Sequence, residues 1–401
     1  MANNILSIKN SIVDENDVIS QQFHTYTPYT TSFNNNDEVR ITIQSQDLIT
    51  LPSQSYIYME FSCARTDNEL FANNQAVFSY NFTSHMFSEM RYELNGIEID
   101  RNKLPGITSI MKCVVACKSE DHYLYELFND KGDKSITTGT YRMMIPLRFI
   151  FGFCDDFRKV ILNCKHELIL VRNRSNICVY QSNADILTLT INKIQWKVPH
   201  VSLSDQAKLS MLKTISRNEN LYIPYRSWDL YELPALPTTN RHTWSVKTTS
   251  QVRKPRYVIV AFQTNRSTIV NDSSAFDTCN ISNVKLYLNN ERYPYDDLNL
   301  QFTADHFSEL FHMVKTIQCT YYNEVSFYNP TEYNLDNFTK KPMFAFDCTK
   351  SDESVKTGMV DVRLELEARE NFPALTTAYC LIIHDNLVRY SPFSSIVHRE
   401  I

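Results

Sequence analysis

The chain contains an internal echo, in which three segments of its first half recur in its second half in the same order. The matched pairs are Tyr56–Phe61 with Tyr257–Phe262, Arg91–Gly96 with Lys285–Asn290, and His166–Arg172 with Arg363–Arg369. Each pair is separated by roughly 200 residues, whereas solenoid repeats recur every ~20–50 residues. The echo therefore predicts duplication of a whole domain.

The length and composition agree with two globular domains. At 401 residues, the chain is longer than the ~250–300 residues at which a single hydrophobic core stops growing. Hydrophobic residues make up 43% of the chain, which is enough for two cores, and the 12% of aromatic residues favours strands. The six glycines are a poor supply for Gly-rich phosphate-binding loops.

Charge and targeting signals limit the possible partners. The formal net charge is −5 and no basic block occurs, so we expect no tight or sequence-specific binding of nucleic acid. The first 22 residues lack the features of a secretory signal, and no apolar run is long enough to predict a membrane span. The ten cysteines form no C-x-x-C pair, which indicates ordinary buried thiols in a reducing compartment.

Most apolar segments alternate with polar residues, which is the pattern of half-buried strands. Val39–Ile43, Leu187–Ile191 and Val360–Leu366 show this alternation most clearly. Asn95-Gly96 lies between two such segments and predicts a tight hairpin turn. Asn289-Asn290 can form the equivalent turn in the second half, because Asn tolerates a positive φ.

Few helices are predicted. Ser202 is placed to cap a helix over Leu203–Ile215, whose Leu209, Leu212 and Ile215 would share one face. Two further helices are predicted at equivalent positions of the repeats, over Ile107–Cys117 and Ala304–Lys315. Each leads into a long polar and aromatic loop, Ser119–Thr140 and Thr316–Lys341, and loops of this length are commonly functional.

The patterns together predict an all-β fold of two tandem jelly-roll β-sandwiches, although periodicity does not distinguish the jelly roll from other Greek-key sandwiches. The predicted divisions are an N-terminal arm (1–21), a first jelly roll (22–200), a helical linker (201–217), a second jelly roll (218–390) and a C-terminal tail (391–401).

Candidate metal ligands and paired carboxylates do not form a convincing site. His306 and His312 are six residues apart, so they do not share a helical face as the i, i+4 histidines of a zinc protease do. The adjacent pairs Asp155-Asp156 and Asp296-Asp297 are interpreted as turn residues or solvated edges.

Catalytic motifs are also missing from the sequence. There is no nucleophile elbow and no phosphate-binding loop, and nothing next to Cys154 would lower the pKa of its thiol. No catalytic, cofactor-binding or metal-binding residue is predicted, and no cofactor. The sequence favours a structural protein over an enzyme.

Four blocks carry a resemblance to a known family: Ile145–Asp156, Ile194–Val201, Lys254–Asn265 and Leu288–Pro294. Together they resemble the double jelly-roll major capsid proteins of small eukaryotic DNA viruses and virus-derived elements, of the Polinton and adintovirus kind. The resemblance spans about residues 22 to 390 and acts as a family fingerprint, since the blocks have no catalytic meaning.

This resemblance implies two upright jelly rolls side by side, with three chains forming a pseudo-hexagonal homotrimeric capsomer of an icosahedral DNA virus shell. The implied partners are neighbouring capsomers, penton proteins and minor capsid proteins, and the implied location is the virion after synthesis in the host cytoplasm. Acidic residues in the first long loop would repel packaged DNA, so we expect both loops on the outer capsid surface.

Two other functions fit a jelly roll. A carbohydrate- or other ligand-binding module would expose tryptophan on a concave face, whereas Trp196, Trp228 and Trp244 all lie in strand-like contexts. An enzyme such as a glycan amidase would need carboxylates brought together from separate strands.

Overall fold

The computed structural model describes most of the chain, and the structural statements below concern these residues only: 17–44, 49–67, 69–72, 75–116, 136–181, 187–217, 220–247, 254–322, 338–339, 341–350 and 360–400. We call the part up to residue 203 the first half and the part from residue 220 the second half. Within them, no helix is long and apolar enough to cross a membrane.

The first half is built mainly of strands. Its elements are β1 (Val18–Tyr26), β2 (Glu38–Ile43), β3 (Ile49–Thr50), β4 (Tyr56–Arg65), β5 (Ala76–Phe78), α1 (Phe82–His85), β6 (Phe87–Leu94), β7 (Ile97–Lys103), α2 (Pro105–Val115), β8 (Gly139–Pro146), α3 (Gly152–Asp156), β9 (Ile161–Leu162), β10 (His166–Arg172), β11 (Val179–Gln181) and β12 (Leu187–Leu203).

A connecting helix leads into the second half, which is again mostly strands. The elements are α4 (Asp205–Ser216), β13 (Leu221–Leu233), β14 (Arg241–Lys247), β15 (Pro255–Thr264), β16 (Ile281–Leu288), β17 (Glu291–Tyr293), α5 (Ser308–Tyr321), β18 (Phe344–Asp347), β19 (Val362–Ala368), β20 (Thr376–Ser391) and β21 (Ile396–Glu400).

The two halves have the same sheet topology. In the first half, one sheet contains the neighbours β1-β12-β4-β8 and the other is β2-β10-β6-β7. In the second half, the corresponding orders are β13-β20-β15-β18 and β14-β19-β16-β17. Taking the strands in chain order, the same positions pair in both halves, which is the eight-stranded, two-sheet arrangement of a jelly roll. The predicted tandem jelly rolls are confirmed.

The echoed segments lie on equivalent strands, β4 with β15, β6 with β16 and β10 with β19. The third echoed pair, His166–Arg172 with Arg363–Arg369, is misaligned by one residue. His166 pairs with Leu94 and Val362 pairs with Leu288, both just before the hairpin turn, so the structural equivalent of His166 is Val362, not Arg363. A shift of one residue moves a side chain to the other face of the sheet, and the weak sequence identity did not fix that register.

Both predicted hairpin turns are present and are held by the same hydrogen-bonding arrangement, which we call the hairpin device. Asn95 and Asn289 have left-handed φ values of 49° and 54°. The backbone N–H of each donates to a carbonyl of the neighbouring strand, on Lys165 and Asp361 respectively, at 2.9 Å in both cases. Each Asn side-chain oxygen accepts the return bond from the same neighbour, at 2.7 and 2.9 Å.

The helices differ from the predictions in their ends. Strand β12 continues to Leu203, so the cap of α4 is Ser204, whose side chain accepts a hydrogen bond from the Ala207 N–H. Leu209 and Leu212, predicted to share one helical face with Ile215, are 59% and 50% exposed. Helix α5 continues to Tyr321, past the predicted loop start at Thr316. Most of both long loops lies outside the described residues.

Each jelly roll contributes side chains to the core of the other. Ile110, Met111 and Val114 of α2 belong to the apolar cluster of the second half. In return, Tyr225 of β13 and Tyr390 of β20 belong to the cluster of the first half. Each apolar core therefore contains side chains from both halves, and neither is formed by the strands of one half alone.

Candidate functional site: the interface between the two jelly rolls

The two jelly rolls stand side by side and point in the same direction. At one end, the Ser273 hydroxyl donates to the Ile177 carbonyl at 2.6 Å. At the opposite end, the Asn95 side chain donates to the Ser395 carbonyl, also at 2.6 Å. Ser273 lies in the connection after β15, and Ile177 lies in the connection from β10 to β12. These connections are at the same end of their sandwiches, because the end of β4 pairs with the start of β12 and the end of β15 pairs with the start of β20. Equivalent ends of the two sandwiches therefore lie together.

Helices α2 and α5 meet at this interface. Helix α2 follows β7 and helix α5 follows β17, the equivalent edge strands of the two sandwiches. The Gln318 side chain of α5 donates to the Val114 carbonyl of α2 at 2.9 Å. Helix α2 begins with Pro105 at a position where a missing N–H costs nothing. All of its residues are buried, because the second half covers the side that the first half leaves open.

A buried ion pair lies at the centre of the interface. The Lys112 ammonium of α2 is 2.7 Å from the Asp155 carboxylate of α3, and the two side chains are only 2% and 3% exposed. The Tyr322 hydroxyl, just after α5, contacts both charged groups and donates to Asp155 at 2.6 Å. The Lys112 ammonium also lies 4.8 Å from the centre of the Trp228 ring. The first half thus supplies the two charged groups, and the second half supplies the hydroxyl and the aromatic ring that contact them.

The charge of Lys112 is fixed by these contacts. Burial favours the neutral amine, but the Asp155 carboxylate outweighs it and raises the pKa of Lys112 above its ordinary value. An ammonium that stays protonated at neutral pH does not act as a nucleophile or a general base. Both members of the pair belong to the first half, and their contacts with Tyr322 and Trp228 of the second half give the pair a structural role at the interface.

A second ion pair lies beside the first. The Arg226 guanidinium of β13 binds the Asp156 carboxylate through two nitrogens, at 2.8 and 2.5 Å, and the Arg226 backbone N–H donates to the same carboxylate. The guanidinium stacks 3.7 Å from the centre of the Tyr321 ring and donates to its carbonyl. Such planar two-point geometry is specific to Arg.

Helix α3 brings both aspartates to the interface because its first residue is glycine. A Cβ on Gly152 would lie 1.7 Å from the Arg226 carbonyl oxygen, so any side chain would push α3 away from β13. The Asp100 carboxylate holds the same helix by accepting the Phe153 N–H at 2.9 Å. Burial raises the pKa of Asp100 to about 7.

The interpretation of Asp155-Asp156 as turn or solvated residues was wrong. The sequence shows two adjacent acids but not the Lys and Arg that neutralise them from distant positions. Asp296-Asp297 is exposed as predicted, with Asp297 in a half-exposed pair with Lys285 at 2.7 Å. The helical Lys112, set among apolar residues, was the one sequence signal that pointed to a buried charge.

The other residues considered as candidates are dispersed. His306 precedes α5 while His312 lies within it, and no group of three or more His, Cys, Asp or Glu in the described part of the chain could hold a metal ion. Burial raises the pKa of the Cys154 thiol, and Asp100 and Asp155 raise it further, as predicted. Trp196, Trp228 and Trp244 are all buried and offer no carbohydrate-stacking surface.

Comparison with known proteins agrees with the topology. The family described as the double jelly roll-like domain matches residues 76–388. The chain belongs to this double jelly roll family. No curated protein matches it in sequence.

Solved structures show the same double jelly roll along nearly the whole chain. A chain of the Sputnik virophage, solved by cryo-EM, aligns with a TM-score of 0.66 at 10% identity, covering 100% of this chain and 92% of that one. The mavirus major capsid protein aligns at 0.58 and 8% identity, covering 100% and 93%. The Faustovirus major capsid protein aligns at 0.60 and 8% identity, covering 96% and 93%. At these identities the likeness concerns the fold.

Proposed function

We propose that this double jelly roll chain is the major capsid protein of a DNA virus or of a virus-derived element of the Polinton kind. The observation that carries the proposal is the side-by-side pairing of two equivalent sandwiches through shared cores, with one buried and one part-buried ion pair at their interface. The solved major capsid proteins with the same fold support it.

The paired sandwiches explain how such a chain tiles a shell. Three chains arranged around a threefold axis present six similar sandwiches, which approximates a hexagon. The threefold contact is heterologous, with a patch of the first half meeting a different patch of the second. The proposed role is structural and not catalytic, with neighbouring capsomers, penton proteins and minor capsid proteins as partners and the virion as location.

We also propose that the end carrying α2 and α5 faces outward. The long loops that follow these helices in sequence would then lie on the capsid surface, and the first of them is rich in acidic residues that DNA phosphates would repel. The opposite end carries α4, Asp17 and Ser395. The division into jelly rolls at 22–200 and 218–390, with the arm (1–21), linker (201–217) and tail (391–401), is part of the same proposal.

The test is the assembly state of the purified full chain. We expect sedimentation and light scattering to give three times the chain mass of 46.9 kDa, persisting at micromolar concentration. Negative-stain images should show hexagon-like particles. A monomer at micromolar concentration would overturn the capsomer proposal, while the double jelly roll fold would stand.

The outward orientation needs intact particles. Protease should cut the segments 119–135 and 323–337 in intact particles, because exposed loop tips are preferred cleavage sites. Cleavage only after the particles are disrupted would show that this end faces inward or is covered.

A further inference from the structure

The apolar face of helix α4 is only partly covered by the rest of the described chain. None of its described side chains is fully buried, and Ala207, Met211 and Ile215 on one face are half-buried. An isolated helix of about 12 residues is marginal in water and normally depends on packing of its apolar face. Something must therefore complete the packing of this face.

The half-buried face of α4 borders a groove of about 590 Å³. The apolar residues that line it include Met211 and Ile215 of α4, Phe157 and Val160 between α3 and β9, and Leu221 at the start of β13. This volume lies within the range of pockets that bind ligands. The groove sits at the end of the molecule opposite to α2 and α5.

The chain itself enters this groove. Asp17 is one of the lining residues, and its carbonyl accepts the N–H of Ser204, the cap of α4, at 2.9 Å. Residues 1–16 precede Asp17 and lie outside the described residues. The sequence of this segment is apolar at Ile5, Leu6, Ile8, Ile12 and Val13.

The length and charge of this segment suit the groove. Helix α4 is about 18 Å long, and 16 residues span about 24 Å as a helix and about 50 Å when extended. Ile5, Ile8 and Ile12 have the spacing of one helical face. Asp14 and Glu15, next to the entry point, would meet Lys159 on the groove wall.

We propose that residues 5–13 bind in this groove of their own chain, with their apolar side chains against Ala207, Met211 and Ile215. The segment then completes the packing of α4 and fixes the connection between the jelly rolls. This proposal concerns the single chain and does not depend on capsid assembly.

Lys9 offers a direct readout, because it is the one tryptic site within residues 1–16. In the full-length chain, we expect trypsin to cut after Lys9 slowly. Met211→Asp places a charge in the groove and should speed this cleavage by about tenfold or more, since it removes the burial of several apolar side chains. Leu212→Asp is the matched control, because Leu212 is the next residue of the same helix but is 50% exposed.

Equal cleavage rates in the unmodified chain and both variants would overturn the proposal. The helix lies outside both cores, so both variants should fold, and an unchanged thermal unfolding midpoint for Leu212→Asp checks this. The readout is the intact mass of the cleaved chain.

Photo-crosslinking identifies the chain that holds the segment. A benzoylphenylalanine at position 12 should crosslink to residues 205–217 or 157–162 of the same chain, and one at position 10, off the apolar spacing, should do so much less. In a mixture of isotopically labelled and unlabelled chains, crosslinks should join peptides of equal label. Mixed-label crosslinks alone would show docking on a second copy, and crosslinks elsewhere would show another site; either result overturns the proposal.

Discussion

Helices α2 and α5 occupy the same place in the two jelly rolls, yet they are packed differently. Every residue of α2 is buried, whereas α5 buries Leu310, Val314, Ile317 and Tyr321 and leaves its other face partly exposed. The apolar side chains of both helices belong to the second core. The two copies thus keep one topology, but only the first copy donates its helix to the other half.

The comparison separates what a jelly roll needs from what a pair of jelly rolls needs. Strand order and the Asn hairpin device are common to both halves. The buried charge of Lys112, the glycine at the start of α3 and the fully covered helix belong to one half only. These three asymmetric features lie at the interface, and the following experiments test the comparison from the largest expected effect to the smallest.

Lys112→Met should lower the free energy of unfolding by about 3–5 kcal/mol, because it leaves the Asp155 carboxylate buried without its cation. Urea denaturation at a fixed chain concentration measures the loss. The control is Lys285→Met in the second half, whose partner Asp297 is half-exposed, and its effect should be much smaller. Similar losses in the two variants would show that the interface pair is no more important than a surface pair.

The helices themselves can be compared with one residue type. Met111→Ala in the fully buried α2 should cost about 2–5 kcal/mol, since the residue is 0% exposed and a cavity would remain. Met313→Ala in α5 removes a partly buried side chain and should cost clearly less. If the two costs are equal in denaturation experiments, the packing asymmetry has no energetic meaning.

Acid should act on the first half through two buried histidines, while the raised pKa of Asp100 in the same half acts in the opposite direction. Burial lowers the pKa of His166 to about 3, helped by the nearby His200, and burial lowers the pKa of His85 to about 4. Both are neutral when folded but titrate near 6.5 when unfolded, so stability is complete above that pH and falls as the pH drops below it. At pH 5 the loss should be about 2 kcal/mol for each of the two.

The second half has Val362 in place of His166, so it lacks this titrating group. His166→Gln should therefore reduce the loss between pH 7 and pH 5 by about 2 kcal/mol. His312→Gln, at an exposed position of the second half, is the matched control for replacing a histidine with glutamine. An unchanged slope for His166→Gln would contradict the assignment.

The hairpin device gives the smallest effect and the one place where the halves should agree. Asn95→Ala and Asn289→Ala each replace a residue that tolerates a positive φ with one that tolerates it less well, and each removes the side-chain bond to the neighbouring segment. Asn95→Ala also removes the bond to the Ser395 carbonyl. We expect each to cost about 1–2 kcal/mol, and the lost bond to Ser395 should account for any larger cost of Asn95→Ala. A large difference in thermal or urea unfolding would show that only one turn is important for pairing.

The sequence predicted the fold because the relevant signals are local. Strand alternation and the Asn95-Gly96 turn depend on neighbours along the chain, and the order of the echoes is found by comparing the two halves of the sequence; each was confirmed. The exact register of the third echo was wrong, because Val362 and Arg363 both fit an alternating strand until the partner strand is known.

The interface was much less predictable. Asp155 and Asp156 resemble solvated turn residues until Lys112, Arg226 and Tyr322, distant in sequence, are placed around them. The burial of α2 likewise depends on the second half: the apolar residues around Lys112 indicate burial but do not show which part of the chain covers them. Pairs formed across a domain interface leave weak traces in a single sequence.

The shared cores have a consequence for the exchange of parts between related genes. A recombination that replaced one jelly roll with that of a distant relative would separate α2 from the cluster it fills, and Tyr225 and Tyr390 from theirs. Such a chimera would carry two complete sets of strands and two badly filled interiors. The heritable module is therefore the pair, and successful swaps should be confined to surface loops.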